Sequence, residues 1–131
     1  MISDKKVDVL ATIYGVLKTI TVDDRLPIAM YIGLQLVEKR ICKVKYNRTG
    51  NFDSMEWMGS KKDLYLFMYN IFPLMTNNRV SYSIYYQTMA VLFKTNQAAI
   101  KRGINRYQFE DLDERLQSLV AKFDEHVSFS A

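Results

Sequence analysis

Two apolar runs, residues 64–75 and 80–93, separated only by Thr76-Asn77-Asn78-Arg79, constrain this chain more than any other feature. The first, Leu-Tyr-Leu-Phe-Met-Tyr-Asn-Ile-Phe-Pro-Leu-Met, is interrupted by a single amide, Asn70. A helix that is apolar on nearly every face must be covered on several sides. The second run reads as a helix with a polar stripe of Ser83, Gln87, Ala90 and Lys94. Tyr82, Tyr85, Met89 and Leu92 form one apolar row on it, and Ile84, Thr88 and Val91 a second.

Crossing a bilayer takes about 20 apolar residues, and both runs are shorter, so neither is a membrane span. Asn77-Asn78-Arg79 fits a tight connection in which an Asn caps the second helix, and Pro73 ends or kinks the first within its last turn. The expected centre is therefore an antiparallel αα-hairpin with the other helices packed round it. The fold class is mainly α: a single domain over 1–131, a compact bundle of five or six helices, with one small β-hairpin inserted.

The flanking segments carry their own signals. Val7, Leu10, Tyr14 and Leu17 predict a first helix from a Ser3 or Asp4 cap to about Lys18, in which Gly15 marks a close helix approach. Pro27 opens a second helix, reaching about Arg40, with Met30, Leu34, Val37 and Ile41 on its buried face. The period then changes. Cys42-Lys43-Val44-Lys45-Tyr46 alternates as a half-buried strand does, Asn47-Arg48-Thr49-Gly50-Asn51 is a turn, and 52–58 returns. This predicts a β-hairpin over 41–58 anchored by Tyr46 and Trp57.

Ser60 with Asp63 resembles a capping box. A short helix follows at 97–102, capped by Thr95 or Asn96 and ended by Gly103. The last helix, about 109–127, carries Leu112, Leu116, Leu119, Phe123 and Val127 at helical spacing, with a pair between Asp111 and Arg115. Residues 128–131 are expected to fray.

Chemistry-bearing residues are few. The chain has one His and one Cys. His126 is expected to complement the end of the last helix, and Cys42 to be a buried, inert thiol, with no internal disulfide open to it. No signal peptide or long apolar span precedes the domain, so an intracellular, cytoplasmic setting is expected. Glu110, Asp111, Asp113 and Glu114 complement a helix dipole, and no second cluster completes a metal site. Gly59-Ser60-Lys61-Lys62 lacks the upstream glycine and the residue order of a phosphate-binding loop. No enzyme, cofactor or metal is expected.

Charge is distributed unevenly. Residues 39–106 hold twelve basic and three acidic side chains, net +9, whereas 107–131 hold two basic and six acidic, net −4. Such a middle suits an anionic partner: nucleic acid first, or the acidic surface of another protein. The candidate contacts are Lys39, Arg40, Lys43, Lys45, Arg48, Lys61 and Lys62, with Lys101, Arg102 and Arg106 from a second segment. That second segment, Ala98 to Leu112, resembles a DNA-binding helix-turn-helix about Gly103, with Asn105, Arg106, Tyr107 and Gln108 opening the second helix. The expected function is a non-enzymatic binding module in a regulatory or accessory role. The alternative is an assembly or adaptor subunit using aromatic and methionine-rich surface, compatible with self-association or a place in a larger assembly.

Overall fold

The computed structural model describes residues 4–130, with side chains from 10 to 127. The described elements are α1 (Asp4–Lys18), α2 (Leu26–Glu38), β1 (Cys42–Tyr46), β2 (Phe52–Trp57), α3 (Lys61–Thr76), α4 (Tyr82–Phe93), α5 (Gln97–Arg106) and α6 (Glu114–Ser130), with 3-10 turns at Asp23–Arg25 and Phe109–Asp111. This is the helical bundle with a small β-hairpin that the patterning anticipates. Ser3, one of the two residues expected to cap α1, lies outside the described residues, and Asp4 is already helical.

Helix α3 is the hub. Leu64 to Met68, Ile71, Phe72, Leu74, Met75 and Thr76 are all buried, and α2, α5 and α6 pack on it. Each large apolar side chain buried this way contributes roughly 1.5–3 kcal/mol. Helix α4 runs back along α3: the Tyr65 and Thr95 hydroxyls meet at 3.4 Å, Tyr85 donates to the Met68 carbonyl at 2.6 Å, and Phe72 stacks on Tyr82 at 4.2 Å between centroids. The connection differs from expectation in its cap. Asn77 and Asn78 both take left-handed backbone, φ 49° and 60°, and Ser81 caps α4 by accepting from the Ile84 N–H. Asn tolerates that conformation, so the pair turns the chain and leaves capping to a serine.

Several faces are rotated from those the spacing suggests. On α4, Ala90 is buried, whereas Ile84 and Val91 are 54% and 73% exposed, so the second apolar row looks outward. On α2 the buried face is Ile28, Ile32 and Leu36, while Met30 is 61% exposed. Gly15 has open space around it; the close approach of α1 and α2 is at Gly33, where a Cβ would lie 3.2 Å from Ile13 Cγ2. Gly103 lies inside α5, which continues to Arg106. The final helix starts late: 109–111 is a 3-10 turn, Leu112 and Asp113 are extended or bent, and α6 then runs to Ser130, into the stretch expected to fray. Residue 131 lies outside the described residues.

Candidate anion-binding surface

The strand period places Cys42 and Val44 inward and Lys43 and Lys45 outward on β1. Lys43 lies opposite Glu56, and Lys45 Nζ reaches the same carboxylate at 3.1 Å. Both partners are about half exposed, where such a pair is worth little. Glu56 nevertheless answers part of the hairpin's positive charge. Arg48 stands at the exposed tip, in a turn built by Asn47, whose Oδ1 accepts from the Thr49 and Asn51 N–H groups, and by Gly50 at φ 84°. Trp57 anchors the hairpin on Phe67 and Phe93, with centroids 5.5 and 6.2 Å away. Tyr46, expected to share that role, is 43% exposed, because the register shifts between Lys45 and Tyr46 and the strand end turns outward.

Lys61 and Lys62 occupy the first turn of α3, beside the positive end of its dipole, a placement that costs rather than stabilises. Lys62 Nζ sits 5.9 Å from the centre of the Tyr107 ring. That contact brings the start of α3 to the end of α5, next to Arg106. Ile100 is buried on α5 and Ile104 partly so, while Lys101, Arg102, Asn105 and Arg106 form its exposed strip. The helix, QAAIKRGINR, contains no acid at all.

A helix-turn-helix does not form here. The backbone through Gly103 stays helical, so there is no turn, and Asn105 to Gln108 end α5 and enter a linker where a recognition helix would have to begin. The expected Asp111–Arg115 pair is also replaced. Asp111 accepts from the Gln108 N–H, and Arg115 pairs with Asp113.

Among the described residues no carboxylate of the acidic C-terminal segment forms an ion pair with a candidate cation. Asp113 Oδ1 accepts from the Arg115 N–H at 2.9 Å, and Asp63 Oδ1 from the Asp113 N–H at 3.1 Å, tying the start of α6 to α3. The backbone bond to Arg115 holds the Asp113 carboxyl below its usual value. Among the described residues the ion pairs are Lys45–Glu56, Lys94–Asp53 and Arg115–Asp113. Nine of the ten candidate cations therefore have no carboxylate partner there, Lys45 being the exception.

The ten do not form one cluster. Lys43, Lys45 and Arg48 stay on the hairpin, and Lys62 joins the α5 group through Tyr107, with Lys61 its neighbour in the first turn of α3. Lys39 and Arg40 turn instead into a cleft of about 670 Å³ between the end of α2, the base of the hairpin and α6. Two cations overlooked in the sequence, Arg115 and Lys122, line it from the opposite wall. Their signal was the seven-residue spacing that puts them on one side of α6, hidden by the acidic character of that helix.

Cys42 is buried, and burial pushes its thiol up to about 12. His126 lies a turn before the end of α6 and packs on the Tyr31 ring at 4.3 Å. Among the described residues no three His, Cys, Asp or Glu side chains converge as a metal site would need, and no helix is long and apolar enough to cross a membrane. The chain matches no family model, no curated protein and no solved structure.

Proposed function

We propose that this protein is a non-enzymatic, intracellular binding module that engages nucleic acid through phosphate contacts, in a regulatory or accessory role. The observation that carries the reading is the outer strip of α5: Lys101, Arg102 and Arg106 are exposed on a helix without a carboxylate, with Lys62 held beside them on Tyr107. Lys61 extends the strip, and Lys43 and Arg48 offer a second contact from the hairpin. Unpaired cations on a rigid element release counterions on meeting a polyphosphate, and Asn105 adds a neutral donor. In the absence of a recognition helix, contact falls on the backbone, so little sequence preference is expected.

The test is a salt titration of binding to a fluorescein-labelled 20-mer oligonucleotide, read by anisotropy. Four phosphate contacts give a slope of log K against log[salt] of about −3 to −4. Reversing Lys101 or Arg102 to Glu should lower the slope by about 1 each. Absence of binding at low salt, or a slope indifferent to both variants, rules the reading out.

A second reading, a protein adaptor, is favoured by one feature. Ile84 and Val91, seven residues apart on α4, are exposed together, and Tyr69 and Tyr82 are 44% and 49% exposed. A helix face this apolar suits a protein partner better than a polyanion. Retention of a partner through Ile84→Glu-sensitive contacts, with no oligonucleotide binding, would favour it.

A further inference from the structure

The cleft that takes Lys39 and Arg40 away from the basic surface has the make-up of a site in its own right. Its volume, about 670 Å³, falls in the range of small-molecule pockets. Ile41, Met58, Leu116 and Leu119 supply apolar wall, and Trp57 lies among them. Cations stand round it: Lys39, Arg40 and Lys122, with Arg115 beside Asp113.

Three features set it apart from a merely solvated hollow. Among the described residues neither carboxylate that lines it pairs with Lys39, Arg40 or Lys122: Asp63 accepts from the Asp113 N–H, and Asp113 from Arg115. The Trp57 indole stands at the wall, its N–H buried close against Gly59 and without a hydrogen-bond partner. Arg40 holds a left-handed backbone, φ 56°, at the end of α2, where glycine would be unstrained.

We infer that this cleft binds a small amphipathic organic anion: an apolar, ring-sized body against Met58, Leu116 and Leu119, and its anionic head among Lys39, Arg40 and Lys122. The site is separate from the α5 strip and does not rest on nucleic-acid binding. An aromatic sulfonate, carboxylate or phosphate meets the requirement; a neutral ring system does not.

Trp57 is the chain's single tryptophan, so it reports occupancy directly. The experiment titrates the folded protein with 8-anilinonaphthalene-1-sulfonate and, separately, with N-phenyl-1-naphthylamine, which has the same rings and no charge. The expected result is one saturable sulfonate site that quenches Trp57 emission, with the neutral amine binding at least about tenfold more weakly. Lys39→Glu and Lys122→Glu, both at exposed positions, should each weaken the sulfonate by about tenfold, whereas Arg102→Glu leaves it unchanged. Near-UV circular dichroism establishes that each variant is folded, which excludes dye uptake by a loosened core. Equal binding of the neutral amine, wild-type affinity in both Glu variants, or no saturable site each overturns the assignment.

Discussion

Gly103 packs against Tyr65 so closely that a Cβ on it would lie 2.3 Å from Cδ2 of the ring and 3.2 Å from the Tyr65 Cβ. Tyr65 is itself buried in α3, and the contact falls at the root of its side chain, which cannot swing aside. The glycine thus sets the distance between α3 and α5, and with it the position of the basic strip on the far side of α5.

Gly103→Ala should therefore destabilise the protein, although alanine is the better helix former by about 1 kcal/mol. Overpacking of this kind costs roughly 1–3 kcal/mol. Urea unfolding checks it: a midpoint equal to or above wild type would show that the helices can separate without loss.

The two neighbouring tyrosines of α4 should respond differently to loss of their hydroxyls. Tyr85 donates to the Met68 carbonyl inside the core, and Tyr85→Phe should cost about 0.5–1.5 kcal/mol. The Tyr86 hydroxyl is buried with no partner, so Tyr86→Phe should be neutral or stabilising. Thermal denaturation of the pair, side by side, gives the comparison.

Cys42 should be silent in the native state. Its thiol rises from 9.0 to about 12 through burial at the base of the hairpin. A group kept neutral by folding supports stability fully below pH 9, and that support is lost as pH rises from 9 towards 12. At pH 8 iodoacetamide should label Cys42 only as fast as the hairpin opens; labelling at the rate of a free thiol would mean the strand is not packed.

Acid acts through a different pair. Asp53 is held below the ordinary carboxyl value of 3.8, chiefly by the hydrogen bond from Lys94, and Asp113 likewise, chiefly by the Arg115 N–H. Folded values lower than unfolded ones give stability that is present above pH 3.8 and lost as pH falls through the folded values. Asp113→Asn should start less stable at pH 6 and lose less than wild type between pH 4 and 2, as read by denaturant midpoints. Parallel acid profiles would count against the α6 cap as an acid-sensitive contact.

Local sequence was enough to determine which elements form, though not where α5 ends and α6 begins. The nearly continuous apolar character of 64–75 specified a helix covered on several sides; the alternation of Cys42 to Tyr46 specified a strand; Ser60 and Asn96 were legible as caps because capping needs only an oxygen beside the right N–H groups. The basic middle of the chain was legible too, as was the burial of Cys42. Tertiary packing decided what local patterns leave open. Gly103 has the same sequence signature as a turn glycine or a contact glycine, and only the Tyr65 ring distinguishes them. Two apolar rows on α4 compete for one interior, and the neighbours choose which is buried. The cations that share a cleft, Lys39 and Arg40 with Arg115 and Lys122, lie 75 to 83 positions apart in the chain. Proximity of that kind is a property of helix packing, which no periodicity within a single element encodes.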